Sequence, residues 1–347
     1  MREIRSIEVR DEAQVGMARR AVHDYARRVG FSETELAQID IVVQEIGTNT
    51  ARHTTEGGWI HFTTPLGSAQ GLELFYWDKG PGIYNLDRAV RDGVTTSGSL
   101  GAGLGAIRRL MDEFDVYSTV AAAERLSLAS ARRTSHGTAL LARKWLGDGG
   151  DRAEACEAKR YGVWSRPHPS ETVNGDAYFM RTHEGRTMLA VVDGLGHGSG
   201  AKEAADVALD SLDEWVDEPL DEVLLAVHDA LRATRGAVIG AAIIDRAGGH
   251  LHCAGVGNVA LRVFDAPEPV TVIPVNGTLG VRLGSMRVWT HPWAEGATIV
   301  ITSDGISESW DVASYPGLLR RSPQLLAGIL MRDYGRDADD ATVLVAK

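Results

Sequence analysis

The chain of 347 residues has only two cysteines, Cys156 and Cys253, far apart and in neither metal-binding nor redox spacing. That excludes a disulfide framework and suits a reducing compartment. No apolar run approaches the roughly 20 residues needed to span a bilayer. The opening MREIRSIEVRDEA carries charges throughout, where an export signal has an apolar stretch. These absences predict a soluble, cytoplasmic protein with no membrane partner. Internal repeats and low-complexity tracts are also missing.

A basic excess is missing as well. Residues 1–145 carry 18 basic and 18 acidic side chains, whereas residues 146–347 carry 18 and 29, so the whole net charge of −11 lies in the second part. An acidic surface argues against nucleic acid as a partner and is compatible with a site that collects divalent cations.

What is present suggests about two domains of ordinary size. Apolar positions between Asp11 and Val29 recur at helical spacing, and a second helix runs from Ser32, a good N-cap, to about Thr54. WIHFTT and GLELFYW have strand character, LGAIRRLMDEF is helical, and FDVYSTV, RLSLASA and GTALLARKW return to strand. The first 145 residues thus form a layered domain with helices on one face of a mostly antiparallel sheet. Glycine- and acid-rich residues 146–160 read as a linker. Over 161–347 come strands (YGVWS, VNGDAYFM, TMLAVVD), helices near 199–215 and 219–234, and strands again (AVIGAAIID, HLHCAGVG, VALRVF, VTVIPV, MRVWTH, TIVITSD). A helix near Pro316–Asp333 and the strand ATVLVA close the chain. The pattern is α/β (α+β) throughout, with two packed sheets flanked by helices in the second domain.

Two glycine loops stand out, SLGAGLGA at 99–106 and VVDGLGHG at 191–198. The first opens a helix, where bare N–H groups and the helix dipole favour phosphate. It is not a Rossmann fingerprint, because no strand immediately precedes it, and not a P-loop, because no Lys-Ser/Thr follows. Two features accompany it. Glu45 and Asn49 lie four apart on one helical face, an arrangement that alone would describe a solvated surface. In WDKGPGI a strand delivers Asp78 into a turn with Gly80 and Gly82, where a carboxylate accepts from an exocyclic amine and glycines let a base approach the backbone.

ExxxN, DxGxG and GxGLG in this order resemble the GHKL (Bergerat-fold) ATP-binding family, and more narrowly the RsbT/RsbW-like anti-sigma-factor serine kinases. The resemblance covers nearly all of residues 1–145. It implies a Bergerat α/β sandwich that binds ATP with Mg²⁺. Asn49 would hold the ion, Asp78 with Gly80 and Gly82 would recognise adenine, and Gly101, Gly103, Leu104 and Gly105 would cover the phosphates. Thr138 would close the site, and Glu45 would serve as general base toward a serine or threonine hydroxyl.

The second part places Asp176, Asp193 and Asp304 at strand ends and Asp339-Asp340 directly before a strand. One such aspartate is usually a turn residue. Four recurring in apolar-strand contexts can bring oxygen ligands together for hard cations. GDAYF, DGLGHG, NGTLGV, TSDG and DDAT, in this order over about 170–347, resemble the type 2C metal-dependent protein phosphatases of the SpoIIE branch, with its small RsbX-like members. The resemblance implies an αββα sandwich holding two Mn²⁺ or Mg²⁺ ions through Asp176, Asp193, the Gly194 carbonyl, Asp304 and Asp339. Phe179 stands where many relatives carry a second acid, as in the RsbX-like subset. His197, within a glycine turn, reads as satisfying backbone, with a general acid or a phosphate contact as the alternatives. GHLHCAG is not a zinc site, since strand alternation sends His250 and His252 to one face and Cys253 to the other.

The two resemblances together imply a switch protein pairing a kinase domain with a phosphatase domain. Its substrates would be STAS-domain anti-sigma antagonists or stressosome-like scaffolds. An alternative makes the first domain an ATP-binding adaptor or anti-sigma factor without kinase activity, its partner a sigma factor or another phosphatase. A homodimer is compatible with either.

Overall fold

The computed structural model describes residues 4–67, 70–91, 103–120, 136–147 and 156–347. They divide into two compact units, one made of the chain up to Lys159 together with Asp311–Ile329, the other of Arg160–Trp310 and Leu330–Lys347.

In the first unit, α1 (Glu12–Val29) starts at a capping box in which the Asp11 side chain accepts from the Gln14 amide and Gln14 bonds back to the Asp11 backbone. Ser32 and Glu35 start α2 (Glu33–His53) in the same way. The helices pack on one another, burying Val15, Ala18, Val22 and Ala26 of α1 and Leu36, Ile39, Val43 and Ile46 of α2. Beneath them lies a wholly antiparallel sheet of order β1-β2-β3-β5-β4. Its strands are β1 (Arg5–Val9), β2 (Gly58–Thr63), β3 (Gly71–Asp78), β4 (Glu113–Thr119) and β5 (Gly137–Trp145). Two short helices, α3 (Leu86–Val90) and α4 (Gly103–Leu110), precede β4.

Three expectations need comment. β1 has no counterpart in the sequence reading. The helix expected through LMDEF ends at Leu110, because Asp112 locks a turn there: its amide donates to the Arg143 carbonyl and its carboxylate accepts from the Trp145 amide at 2.7 Å. RLSLASA lies outside the described residues. The segment Asp311–Ile329 is tied into this unit by Asp115, whose carboxylate accepts from the Ser322 amide at 2.7 Å and from Arg321 at 3.3 Å.

His61 on β2 is buried, and burial pushes its imidazole pKa down to about 3. A folded pKa below the unfolded value near 6.5 means that the unfolded chain binds the proton more readily. Stability is therefore fully present above pH 6.5 and falls, by about 1.4 kcal/mol per pH unit, as the pH drops from there toward 3. Urea denaturation at pH 7 and pH 5 should show this loss, and His61→Gln should reduce it. An equal loss in the variant would remove His61 as its source.

The second unit contains two antiparallel sheets, of order β12-β10-β9-β8-β7 and β11-β13-β14-β6, packed face to face. The first is built from β7 (Asp176–His183), β8 (Arg186–Gly194), β9 (Ala237–Asp245), β10 (His250–Val256) and β12 (Trp289–Pro292). The second uses β6 (Tyr161–Arg166), β11 (Ala260–Phe264), β13 (Thr298–Thr302) and β14 (Ala341–Ala346). Helices α5 (Ser199–Glu214) and α6 (Leu220–Ala230) cover the first sheet, closing a core of Val192, Ile239, Ala241, Ala208, Leu212 and Val227. The strand expected for VTVIPV is absent, and Val275 makes only an isolated bridge with Val256. Pro267, Pro269 and Pro274 withhold ladder donors there. The last helix, α7 (Pro323–Tyr334), whose residues up to Ile329 belong to the first unit, begins later than expected, after a 3-10 turn at Leu318–Arg320.

Candidate functional site

β3 ends at Asp78, which is 6% exposed. Its Oδ1 accepts from the Gly80 amide at 2.7 Å and the Thr138 amide at 3.2 Å, and its Oδ2 accepts from the Tyr76 hydroxyl at 2.8 Å. These donors fix the orientation of the carboxylate. Gly82 has φ +77°, and a Cβ there would lie 2.1 Å from the Thr119 carbonyl oxygen, so only glycine lets the turn close against the end of β4.

Above Asp78 opens a cavity of about 550 Å³ lined also by Glu45, Asn49, Gly82, Gly103 and Leu104. The sequence-predicted residues of α2, of the DxGxG turn and of the start of α4 therefore share one wall system, with Thr138 beside them. Glu45 Oε2 accepts from the Gly103 amide at 3.1 Å. A carboxylate is thus held by a backbone N–H at the opening of α4, where a phosphate oxygen could replace it. Gly105 is buried inside α4, and Gly101 lies outside the described residues. Sequence reasoning missed His53 and Tyr76, which also line the cavity. Both signals were available: His53 is four residues beyond Asn49 on the same helix face, and Tyr76 is two residues before Asp78 on the same strand face.

In the second unit Asp176, at the start of β7, pairs in register with Asp193 at the end of β8. Asp304 follows β13 and Asp339 precedes β14. Four of the carboxylates accept hydrogen bonds from neighbours. Asp176, 1% exposed, accepts from the Ser303 hydroxyl at 2.6 Å, and Asp304 accepts from Asn258 Nδ2 at 2.7 Å. Asp340 is buried and accepts from the His168 amide at 2.8 Å, whereas Asp339 is half-buried and accepts from the Asp340 amide at 3.0 Å. Asp340 thereby anchors the His168 turn through Oδ1, while among the described residues its buried Oδ2 has no partner, and Asp339 likewise engages only one of its oxygens.

Burial raises the Asp193 carboxyl far above the usual carboxylate range, and the charges of Asp176, Asp304, Asp339 and Asp340 add to this. Asp176 is raised by burial and by Asp340 and Asp304, against the opposing bond from Ser303. Asp304 is raised by burial and by Asp339. Such mutual repulsion describes a site short of positive charge. Among the described residues no three His, Cys, Asp or Glu side chains are drawn close enough to hold an ion. The donor set is nonetheless all carboxylate and carbonyl oxygen, partly to fully buried, which fits a hard divalent cation.

His197 differs from expectation. Its Nδ1 lies 2.7 Å from Glu171 Oε1, and its ring stacks on His168 at 5.1 Å, so a carboxylate satisfies it rather than backbone. Phe179 contributes to the apolar core. His250 and His252 stack on one face with centroids 6.2 Å apart, and Cys253 is fully buried.

Ser303 and Asn258 were not foreseen. Asn258 is 46 residues from its partner and no local pattern marks it. Asn258→Ala should weaken Mn²⁺ binding roughly tenfold by freeing the Asp304 carboxylate, as loss of an outer-shell partner does. Calorimetric titration with Mn²⁺ checks this, and unchanged affinity would deny Asn258 that role.

The model of the histidine kinase-like ATPase domain matches residues 9–129, and that of stage II sporulation protein E (SpoIIE) matches residues 183–347. The chain is 30% identical over 141 residues to the serine/threonine-protein kinase RsbT of Bacillus subtilis (strain 168), covering 40% of this chain and 95% of RsbT. It is 25% identical over 147 residues to the phosphoserine phosphatase RsbX of the same organism, covering 42% of this chain and 73% of RsbX. A solved structure from work on the bacterial stressosome, a modular system adapted to control secondary messenger signaling, is 32% identical with a TM-score of 0.52, covering 54% of this chain and 98% of its own. Among the described residues no helix is long and apolar enough to cross a membrane. The chain belongs to the histidine kinase-like ATPase family through its RsbT-related first part, and its second part is a SpoIIE-type protein serine/threonine phosphatase domain.

Proposed function

We propose that this chain is a bifunctional partner-switching regulator that phosphorylates a serine or threonine on a STAS-domain or stressosome-like protein and also removes such phosphate. The observation that carries the kinase half is the single cavity that gathers Asp78, Asn49, Glu45 and the Gly103 amide. Asp78 would accept a hydrogen bond from the adenine amine, Asn49 would hold the Mg²⁺ that accompanies ATP, and Leu104 would cover the nucleotide. When a phosphate oxygen takes the Gly103 amide, Glu45 is released from its bond. Its carboxylate then accepts the proton of the attacking hydroxyl as the γ-phosphoryl group moves to the serine oxygen and ADP leaves.

In the phosphatase half, Asp176, Asp193, the Gly194 carbonyl, Asp304 and Asp339 are the residues that would hold two divalent cations. Bound there, such ions supply a water acidic enough to attack phosphorus and neutralise charge on the displaced oxygen. The protein's contribution is orientation: Ser303 aims Asp176, Asn258 aims Asp304, and Asp340 fixes the adjoining His168 turn. Both activities running freely on one residue would only hydrolyse ATP, so partner binding or nucleotide state alternates them.

Incubation with [γ-³²P]ATP, Mg²⁺ and a cognate STAS-domain protein tests the kinase half. Label on the partner with the wild type and little with Glu45→Ala supports it. No label with either, together with a stable stoichiometric complex, would favour the adaptor reading.

A further inference from the structure

We infer that Arg235 is the residue that reads the substrate's phosphate beside the carboxylate cluster, an inference that rests on the phosphatase reading. Arg235 lies in a turn just before β9, and the turn is locked on both sides. The Thr234 amide and hydroxyl both donate to the Leu231 carbonyl, and the Gly236 amide donates to Thr234 Oγ1 at 3.0 Å. The turn is also stitched to the loop after Asp193. The Leu195 amide donates to the Gly236 carbonyl at 3.0 Å, and Gly194 pairs in register with Ala237.

The side chain crosses that loop. A Cβ on Gly200 would stand 2.5 Å from Arg235 Nε and 2.6 Å from its Cζ, and a Cβ on Gly196 would stand 3.5 Å from its Nη1. Gly200 has no left-handed φ to account for it, unlike Gly196 and Gly198. What its missing side chain admits is the guanidinium, lying over the first turn of α5.

The group is exposed, and among the described residues it makes no ion pair or hydrogen bond, although its unit is rich in acid. Other basic side chains of the same segment are engaged: Lys202 with Asp206 at 2.7 Å, and His197 with Glu171 at 2.7 Å. A planar fork of donors without an acid partner, lying over the loop that follows Asp193, fits a dianion held between the cations and itself. The matching ligand is a phosphomonoester, whose outer oxygens accept two parallel N–H bonds. Lys in its place keeps the charge and loses the fork.

Kinetics of the full-length, Mn²⁺-loaded protein on a phosphoserine peptide, with inorganic phosphate as competing inhibitor, test the assignment. Arg235→Ala should raise both KM and the phosphate inhibition constant, roughly tenfold to a hundredfold, the range for a charged hydrogen-bonded contact. Mn²⁺ affinity should stay unchanged. Arg235→Lys should recover part of the loss, and Gly200→Ala, which displaces the guanidinium, should shift both constants in the same direction. Unchanged constants in Arg235→Ala, with the wild type active, would overturn the assignment and leave the phosphatase reading standing. A parallel fall in Mn²⁺ affinity would also overturn it, making Arg235 a support of the Asp193 loop. A wild type without Mn²⁺-dependent hydrolysis would remove the phosphatase reading and the inference with it.

Discussion

Asp193→Asn should abolish Mn²⁺-dependent hydrolysis of p-nitrophenyl phosphate while leaving the protein folded. Asp193 sits opposite Asp176 in the β7–β8 ladder, in the field of four other carboxylates. Asn keeps the shape and removes one charge. The cluster then attracts cations less strongly, and its own repulsion is relieved, so stability without metal should hold or rise. Loss of an inner ligand should exceed the roughly 10- to 100-fold that follows removal of an outer-shell partner. Activity assays across a Mn²⁺ titration, with a thermal melt in EDTA, separate these effects. Hydrolysis unchanged in the variant would refute the site.

The second large effect belongs to Asp78. Asp78→Asn replaces a carboxylate that accepts, among the described residues, from Gly80, Thr138 and Tyr76 with a group that has only one acceptor oxygen. Oδ1 serves the Gly80 and Thr138 amides and Oδ2 serves the Tyr76 hydroxyl, so with the amide oxygen kept at Oδ1 the NH₂ faces Tyr76, whose hydroxyl must turn from donor to acceptor. The amide also places donors where the adenine amine needs an acceptor. An unsatisfied buried group costs about 1–3 kcal/mol, so ATP affinity should fall roughly 10- to 100-fold from this term alone. Fluorescence titration with a labelled ATP analogue reads the loss, and phosphatase activity of the same preparation controls for folding. Affinity within twofold of the wild type would deny Asp78 the adenine.

Much of this was legible because its signals are local. The caps Asp11 and Ser32 each carry their partner three residues later, and both helices begin there. Asp78 and Asp193 end apolar strands and are followed by glycines, and both occupy the strand termini that pattern implies. What escaped depends on distant partners. β1 is a short edge strand with charged residues at Arg5 and Glu8, defined by pairing with β2 more than 50 residues on. VTVIPV alternates like a strand, yet its flanking prolines cannot donate to one. Asn258 meets Asp304, and Arg235 meets Gly200, only after the sheets have formed. The short helix–strand turn at Asp112 is set by β5, which no reading of LMDEF alone could supply.

The claim that one chain both adds and removes phosphate is tested most directly by mass spectrometry of a STAS-domain partner, incubated with the protein first with ATP and Mg²⁺ and then, after ATP removal, with Mn²⁺. The account predicts that one serine or threonine gains phosphate in the first step and loses it in the second. A partner never phosphorylated, or phosphorylated at a residue that Mn²⁺ leaves untouched, would contradict it.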